Sequence, residues 1–396
     1  MSAALALLSA AAVRERCGLI LAAAERGETR HFRLVPERLD ATAERVAAVT
    51  RRRYPDLAVP FHSRWRHFTA GGVDRAALVA PDADTAERAR ARLDLAIVSV
   101  LLDAGAGAEW SYHEAETGLV LGRSEGLAVA SLRAMQLGLF SADKSRPWRA
   151  DAEALAGLTA GRLGVALQHG PNNELAGLEG RAALLRGLGQ VIAERPDVFG
   201  SPARLGNLHD HWLPSRAGLG APDMLALVLR ALGPIWPGRL SLNGVALGDC
   251  GRHPAAPGDG LVPLHKLSQW LVYSLVEPLV EAGFRVTGLD GMTGLAEYRN
   301  GGLFLDGGVL TPRDEGMAAR PLDPLSEEIV EWRALTVALL DRLAPLVRAR
   351  LGKNEAEFPL ACLLEGGTWA AGRELAAELR QDGGPPLIIV SDGTFF

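Results

Sequence analysis

A mainly α-helical fold with minor β structure is expected from three features of the 396-residue sequence. Alanine and leucine recur at helical spacing through most of the first half, with Arg and Glu on the intervening positions. Strand-like runs are few and short. Apolar residues make up 48% and charged residues 22%, which excludes a disordered, collagen-like or coiled-coil chain as the main state.

The elements follow in order. Residues 3–13 are apolar, but no basic segment precedes them and Arg14, Glu15 and Arg16 interrupt the run well short of a membrane span. A surface helix is expected there. Residues 31–35 read as a short strand, and residues 41–49, 86–102 and 127–139 as helices. Between residues 194 and 260, Pro196, Pro202, Pro214, Pro222, Pro234, Pro237, Pro254 and Pro257 break the periodicity, which predicts long ordered loops. Residues 264–283 form a helix whose Leu267, Leu271, Leu275 and Leu279 make a core stripe, with Pro278 placed to kink its end. A different face of this helix carries Lys266, Gln269, Trp270, Tyr273 and Glu277. Helices at 325–351 and 369–379 and a strand at 387–390 complete the chain. The change near Pro196 divides it into a helical region, 1–195, and a loop-rich and helical region, 196–396, that carries the candidate site; one compact domain is the alternative.

Charge and cysteine content narrow the function classes. With 42 basic against 47 acidic side chains the net charge is -5, so nothing attracts phosphate backbones or anionic lipid, and neither nucleic acid nor membrane is expected as a partner. Cys17, Cys250 and Cys362 lie too far apart for a disulfide framework or a thiolate zinc site, which fits a reducing compartment, the cytoplasm.

The densest polar segment runs from 287 to 313. Asp290, Thr293, Glu297, Tyr298, Arg299, Asn300, Asp306 and Arg313 surround the pairs Gly301/Gly302 and Gly307/Gly308, and glycine backbone can approach a ligand closely. Carboxylates with hydroxyls and an arginine suit hydrolysis at a sugar carbon, where positive charge develops and water must lose a proton. A surface loop with a structural Glu–Arg pair explains the composition equally well. A second constellation is His209, Asp210 and His211, which Asp249, His253 and His265 could join as ligands of zinc or another divalent metal; on a strand the two imidazoles would share a face. Hydrogen-bonded loop histidines are the bland alternative. Arg64, Trp65, Arg66 and His67 could hold a phosphate or simply open a helix, and Trp110 and Tyr112 could line a pocket or the core. Gly122 to Gly126 matches the Gly-x-Ser-x-Gly nucleophile elbow around Ser124, without the alternating strands and helices that such an elbow needs.

Four segments, LHKLSQWLVYSL at 264–275, DGMTGLAEYRNGGLFLDGGVL at 290–310, GNLHDHW at 206–212, and the ending LEGGTWAAGRE with SDGTFF, resemble the uracil-catabolism (URC pathway) protein family of fungi and bacteria. The resemblance covers essentially the whole chain and implies a place in the route that converts uracil to its ribonucleotide, opens the ring and releases urea through ribosylurea. A more distant similarity is to the queuosine-salvage N-glycohydrolases, which carry Lys-Arg-Ala-Gln on a helix and Asp-Tyr-Arg about thirty residues later. Here Lys266, Leu267, Ser268 and Gln269 resemble the first, and Glu297, Tyr298 and Arg299 the second, with Leu for Arg at 267 and Glu for Asp at 297. This resemblance implies a large helical domain related to the DNA-glycosylase-like fold.

Together these readings lead to an N-glycosidic hydrolase acting on ribosylurea or its 5-phosphate, a small ribosylated substrate. Glu297, Asp290 and Asp306 are the expected catalytic carboxylates, and Lys266, Gln269, Trp270, Tyr273, Tyr298, Arg299, Asn300 and His265 the expected substrate contacts. His265 or His209 is the expected proton donor, and no metal cofactor is expected. The alternatives are a metal-dependent amidohydrolase built on His209, His211, Asp249 and His253 with zinc or another divalent ion, and a non-catalytic scaffolding component of the pathway.

Overall fold

The computed structural model describes residues 3–107, 109–236 and 240–390. The chain is mainly helical, and among the described residues every sheet has two strands. Helices form at the expected places: Leu39–Arg53, Thr85–Leu101, Arg123–Gln136, Lys266–Glu281, Glu327–Leu351 and Trp369–Leu379. Asp84 caps the second of these by accepting the Glu87 N–H. Pro278 lies within the last turn of Lys266–Glu281, which continues past it. The expected strands are Phe32–Leu34, antiparallel to Leu310–Pro312, and Ile388–Ile389, parallel to Pro321–Leu322. The final SDGTFF lies outside the described residues.

Two expectations are corrected. The N-terminal run is two helices, Ala3–Leu7 and Ala10–Glu25, separated at Ser9, whose hydroxyl accepts the Ala12 N–H. Ala4, Leu7, Val13, Cys17 and Ile20 are buried, so this is a core element and not a surface helix. The proline-rich stretch is not mostly loop. Pro196, Pro214, Pro222 and Pro234 each stand in the first turn of a helix or 3-10 turn, where the missing N–H costs no hydrogen bond; helix Ala221–Leu232 is the longest of these. On the second face of Lys266–Glu281, Gln269, Trp270 and Tyr273 are buried, as are Leu271, Leu275 and Leu279 of the core stripe.

Among the described residues the chain forms two compact units interleaved in sequence, the first from residues 3–62, 240–269 and 288–390, the second from 63–107, 109–236 and 270–287. The composition change near Pro196 falls inside the second. In the first unit, Glu327–Leu351 packs on Ala10–Glu25 and Leu39–Arg53, and Tyr298–Asp306 packs on Trp369–Leu379. That last contact needs Gly372, since a Cβ there would lie 2.1 Å from the Arg299 carbonyl oxygen. Gly301 likewise lies against the indole of Trp332, which donates to its carbonyl at 3.2 Å. These glycines therefore serve helix packing, a use that their spacing did not reveal.

In the second unit, Thr85–Leu101 packs on Arg123–Gln136, and Leu178–Ala193 on the short helix Ala152–Ala156. The hairpin Ser111–Glu114/Leu119–Gly122 leads directly into Arg123–Gln136. All three cysteines are buried and unbridged. Among the described residues no helix is long and apolar enough to cross a membrane.

Candidate active site

Lys266 and Glu297 both stand at helix starts in the first unit, and side-chain hydrogen bonds hold the two starts in place. The Gln269 amide zips its helix to the segment before Glu297: its Oε1 accepts the Thr293 N–H at 2.9 Å and its Nε2 donates to Thr293 Oγ1 at 2.7 Å. Asp249 accepts the Lys266 N–H at 3.0 Å and both terminal nitrogens of Arg333 at 2.8 and 2.7 Å. Arg333 Nε in turn donates to the Ala296 carbonyl at 3.2 Å. Asp249 and Arg333 thus brace the residues beside Lys266 and Glu297 together. Burial pushes the Asp249 carboxyl up, but Arg333 outweighs it and leaves the group below its ordinary range.

Glu297 caps helix Tyr298–Asp306, accepting the Arg299 N–H at 2.7 Å and the Asn300 N–H at 2.6 Å. Its carboxyl is nevertheless shifted above the usual carboxylate range. Burial is the largest cause, and the Arg299 N–H, the Lys266 ammonium, the Asn300 N–H and His62 oppose it without cancelling it. A carboxyl raised by burial can exchange a proton nearer neutral pH than an exposed one.

A second buried carboxylate belongs to the same unit, and the sequence reading did not assign it a role. Glu365 accepts from His62 Nδ1 at 2.9 Å and from the Tyr54 hydroxyl at 3.2 Å. Arg53 donates to its carbonyl oxygen at 2.7 Å. Trp369 packs near His62, with ring centroids 6.2 Å apart. Glu365 lies in the π-helical turn Leu364–Thr368, a widened turn often found at functional sites. The turn packs its Gly366 and Gly367 against Val46, Thr50 and Val59. The segment LEGGTW was visible as a motif, but nothing local joined Glu365 to His62.

The other expected residues have defined surroundings. Asp290 is exposed on the 3-10 turn Leu289–Gly291. Asp306 binds Arg380 with both oxygens, at 2.9 and 2.6 Å. Arg299 lies over the Tyr298 ring, 4.9 Å from its centre, and donates to the Gly383 carbonyl at 2.8 Å. The Asn300 amide donates to the Leu295 carbonyl at 3.2 Å. His265 is buried, its Nε2 lies 2.9 Å from the Leu7 carbonyl, and burial lowers its basicity. Trp270 and Tyr273 belong to the second unit, where Trp270 meets His67 edge-on and lies over Arg64.

The residues named for a metal are each engaged by protein groups. His209 and His211 stand on the short helix Leu208–Trp212 rather than on a strand, so residues two apart diverge: His209 is buried against Asp210 at 2.9 Å, whereas His211 is exposed. Asp249 is held by Arg333 as described, and His253 Nε2 meets Glu331 Oε2 at 3.0 Å. In the second unit, Arg64 is fully buried on Asp103 at 2.9 Å and Ser99 at 2.7 Å, Arg66 pairs with Glu277, and Trp110 donates to the Leu167 carbonyl at 3.0 Å in the core. Gly122 to Gly126 does bridge a strand and a helix, with Arg123 at φ 54. Ser124 donates to Asp103 at 3.2 Å, a carboxylate that already balances Arg64.

A family model described as a protein of unknown function, DUF1688, matches residues 6–396. The chain belongs to this family. Two relatives align along nearly all of the chain. Protein urg3 of Schizosaccharomyces pombe is 40% identical over 401 residues, covering 98% of both chains. Uracil catabolism protein 4 of Lachancea kluyveri is 36% identical over 411 residues, covering 93% of both. Lys266, Glu297, His62 and Glu365 all fall within the matched span of the DUF1688 chain.

Proposed function

We propose that this protein is an enzyme of uracil catabolism that hydrolyses the N-ribosidic bond of ribosylurea or its 5-phosphate and releases urea. The observation that carries the reading is the buried Glu297 carboxyl, raised above its ordinary range with Lys266 and His62 acting on it. Its support in the pathway is the full-length likeness to a relative named for uracil catabolism.

The chemistry follows from these groups. As the bond from the anomeric carbon to the urea nitrogen breaks, the electron pair leaves with nitrogen and positive charge grows on the sugar. Ionised Glu297 stabilises that charge and takes a proton from the attacking water. Urea is a poor leaving group, so its nitrogen needs a proton. The proton on His62 Nε2 goes to that nitrogen in this scheme, with Glu365 accepting from Nδ1 and orienting the ring. Lys266 meets a ribose oxygen or the 5-phosphate, and Trp369 offers an apolar wall. Carboxylates and an imidazole suffice for this step, so it needs no metal. The same reading relates the fold to the DNA-glycosylase-like queuosine-salvage enzymes, on the support that Lys266 opens one helix and Glu297 caps another.

The test is incubation of the purified protein with synthetic ribosylurea and its 5-phosphate, in the presence and absence of a chelator, with urea and ribose products detected by mass. Release of urea from either compound is expected, with turnover unaffected by chelation. No turnover of either rejects the reaction. Activity lost to the chelator and restored by zinc rejects the metal-free step.

A further inference from the structure

A second cluster of ligating side chains lies in the first unit and plays no part in the reaction above. Glu327 and Glu331 stand one turn apart at the start of helix Glu327–Leu351, and His31 precedes strand Phe32–Leu34. One donor atom from each of His31, Glu327 and Glu331 lies within 4.8 Å of the other two. His31 Nε2 and Glu327 Oε1 are 3.3 Å apart, both shielded from solvent, and neither makes a hydrogen bond. Neighbouring ligands on one ion, with bonds of about 2.1 Å, stand roughly 3.0–3.4 Å apart. The His31–Glu327 separation matches that span.

The surroundings fix the ligands from behind. Glu331 is fully buried and accepts the backbone N–H groups of Phe32 at 2.8 Å, His31 at 3.1 Å and Arg30 at 3.2 Å. Its Oε2 also faces His253 Nε2 at 3.0 Å. Because the Ala255 N–H donates to His253 Nδ1 at 3.2 Å, the ring proton sits on Nε2, and His253 donates to Glu331. His253 therefore helps hold the Glu331 carboxylate in place, and with both oxygens taken up by N–H donors Glu331 offers the cluster its charge rather than a lone pair. Glu327 and His253 also line a cavity of about 270 Å³, together with Arg252 and Asp259. The nearest competing charge is Arg30, 3.5 Å from Glu327 and largely exposed, and a contact of that kind contributes little.

We propose that His31 Nε2 and Glu327 bind a divalent cation beside the negative charge of the buried Glu331, joining the chain before strand Phe32–Leu34 to the start of helix Glu327–Leu351, with the remaining coordination positions open to the cavity. An imidazole with a carboxylate suits zinc or manganese better than magnesium or calcium, which favour oxygen ligands alone.

The experiment uses the full-length protein stripped with a chelator and titrated with zinc chloride, followed by calorimetry and thermal unfolding. One site per chain is expected, with a melting temperature raised by about 3 °C or more at saturation and magnesium binding at least about tenfold weaker. His31→Ala and Glu327→Gln should each weaken zinc binding roughly tenfold or more. Both side chains are partly exposed, so the variants should fold; Glu331 is left intact because it holds three backbone groups. Zinc affinity unchanged in both variants, or magnesium bound as tightly as zinc, would overturn the site. Turnover of ribosylurea is expected to survive in both variants, so failure of this site and failure of the proposed reaction are read separately.

Discussion

Glu114 in the second unit and Glu297 in the first are both buried carboxyl groups, and their surroundings drive them in opposite directions. Around Glu114, burial alone would raise the carboxyl. Arg75 at 2.5 to 3.0 Å, Thr117 at 2.6 Å and Arg133 at 2.6 and 2.9 Å more than offset it and bring it to about 2. Around Glu297 the partners are two backbone N–H groups, with Lys266 and His62 acting through their charge, and burial wins. The first group is locked in its ionised form by guanidinium groups and fastens the Ser111–Glu114 strand. The second stays able to take or give a proton, which is what a carboxyl used in catalysis requires. Burial by itself therefore says little about role; the number and kind of donors decide it.

Removing a guanidinium from the locked group should have the largest effect. Arg75→Met leaves Glu114 buried with half its charge balance, and a loss of about 3–5 kcal/mol is expected in urea unfolding. A loss under about 1 kcal/mol would show that Arg133 and Thr117 hold the carboxylate alone.

For the poised group the expected effect is on rate. Glu297→Gln should cut turnover of the ribosylated substrate roughly a hundredfold or more. Its stability should behave differently. A carboxyl raised in the folded state favours folding when protonated and costs stability as pH rises through its shifted value, so the neutral amide should not lower the melting temperature at pH 7. Near-wild-type turnover rejects Glu297 as catalytic, whereas unchanged turnover with a large melting loss marks it as a helix cap alone.

Acid titration distinguishes the two groups in one experiment. Glu114 is lowered from an ordinary 4.5 to about 2, so its contribution is present above 4.5 and is lost as pH falls toward 2. About 2 kcal/mol should disappear between pH 5 and pH 3 in wild type, as measured by unfolding at those two values, and much less in Arg75→Met. Equal losses in both proteins would break the contrast.

Two smaller effects sharpen the site. Lys266→Met keeps the aliphatic stem and removes the charge. Affinity for the 5-phosphate should fall about tenfold, about the weight of one charged contact, and more than for the nucleoside if the ammonium meets phosphate. Equal losses place it on the ribose or urea, and unchanged binding of both compounds removes Lys266 from the site. Asp306→Asn should weaken its pairing with Arg380 by about 1 kcal/mol in unfolding and leave turnover unaltered. A large loss of turnover would return Asp306 to the reaction.

Lys266 and Glu297 were legible because their signals are local: each sits in a short segment, Lys-Leu-Ser-Gln and Glu-Tyr-Arg, that resembles one in the queuosine-salvage enzymes. Asp290 and Asp306 were equally good candidates on composition. What separates them is the Arg380 guanidinium, 74 residues beyond Asp306, and solvent around Asp290. The histidines at 209 and 211 looked like a ligand pair only if their segment were a strand. Five helical residues between proline-led turns turned them apart.

Helix content, helix starts and the low share of strand were determined by the sequence itself, since they rest on spacing and capping within a few turns of chain. Tertiary structure decided the partners. His62 meets Glu365 across 303 residues, and Asp249 meets Arg333 across 84. Periodicity shows which face of a helix is buried, but not which distant side chain it is buried against. That choice is made when helices pack closely at glycines such as Gly301, Gly367 and Gly372, and buried polar groups must then find their donors among whatever the packing brings near.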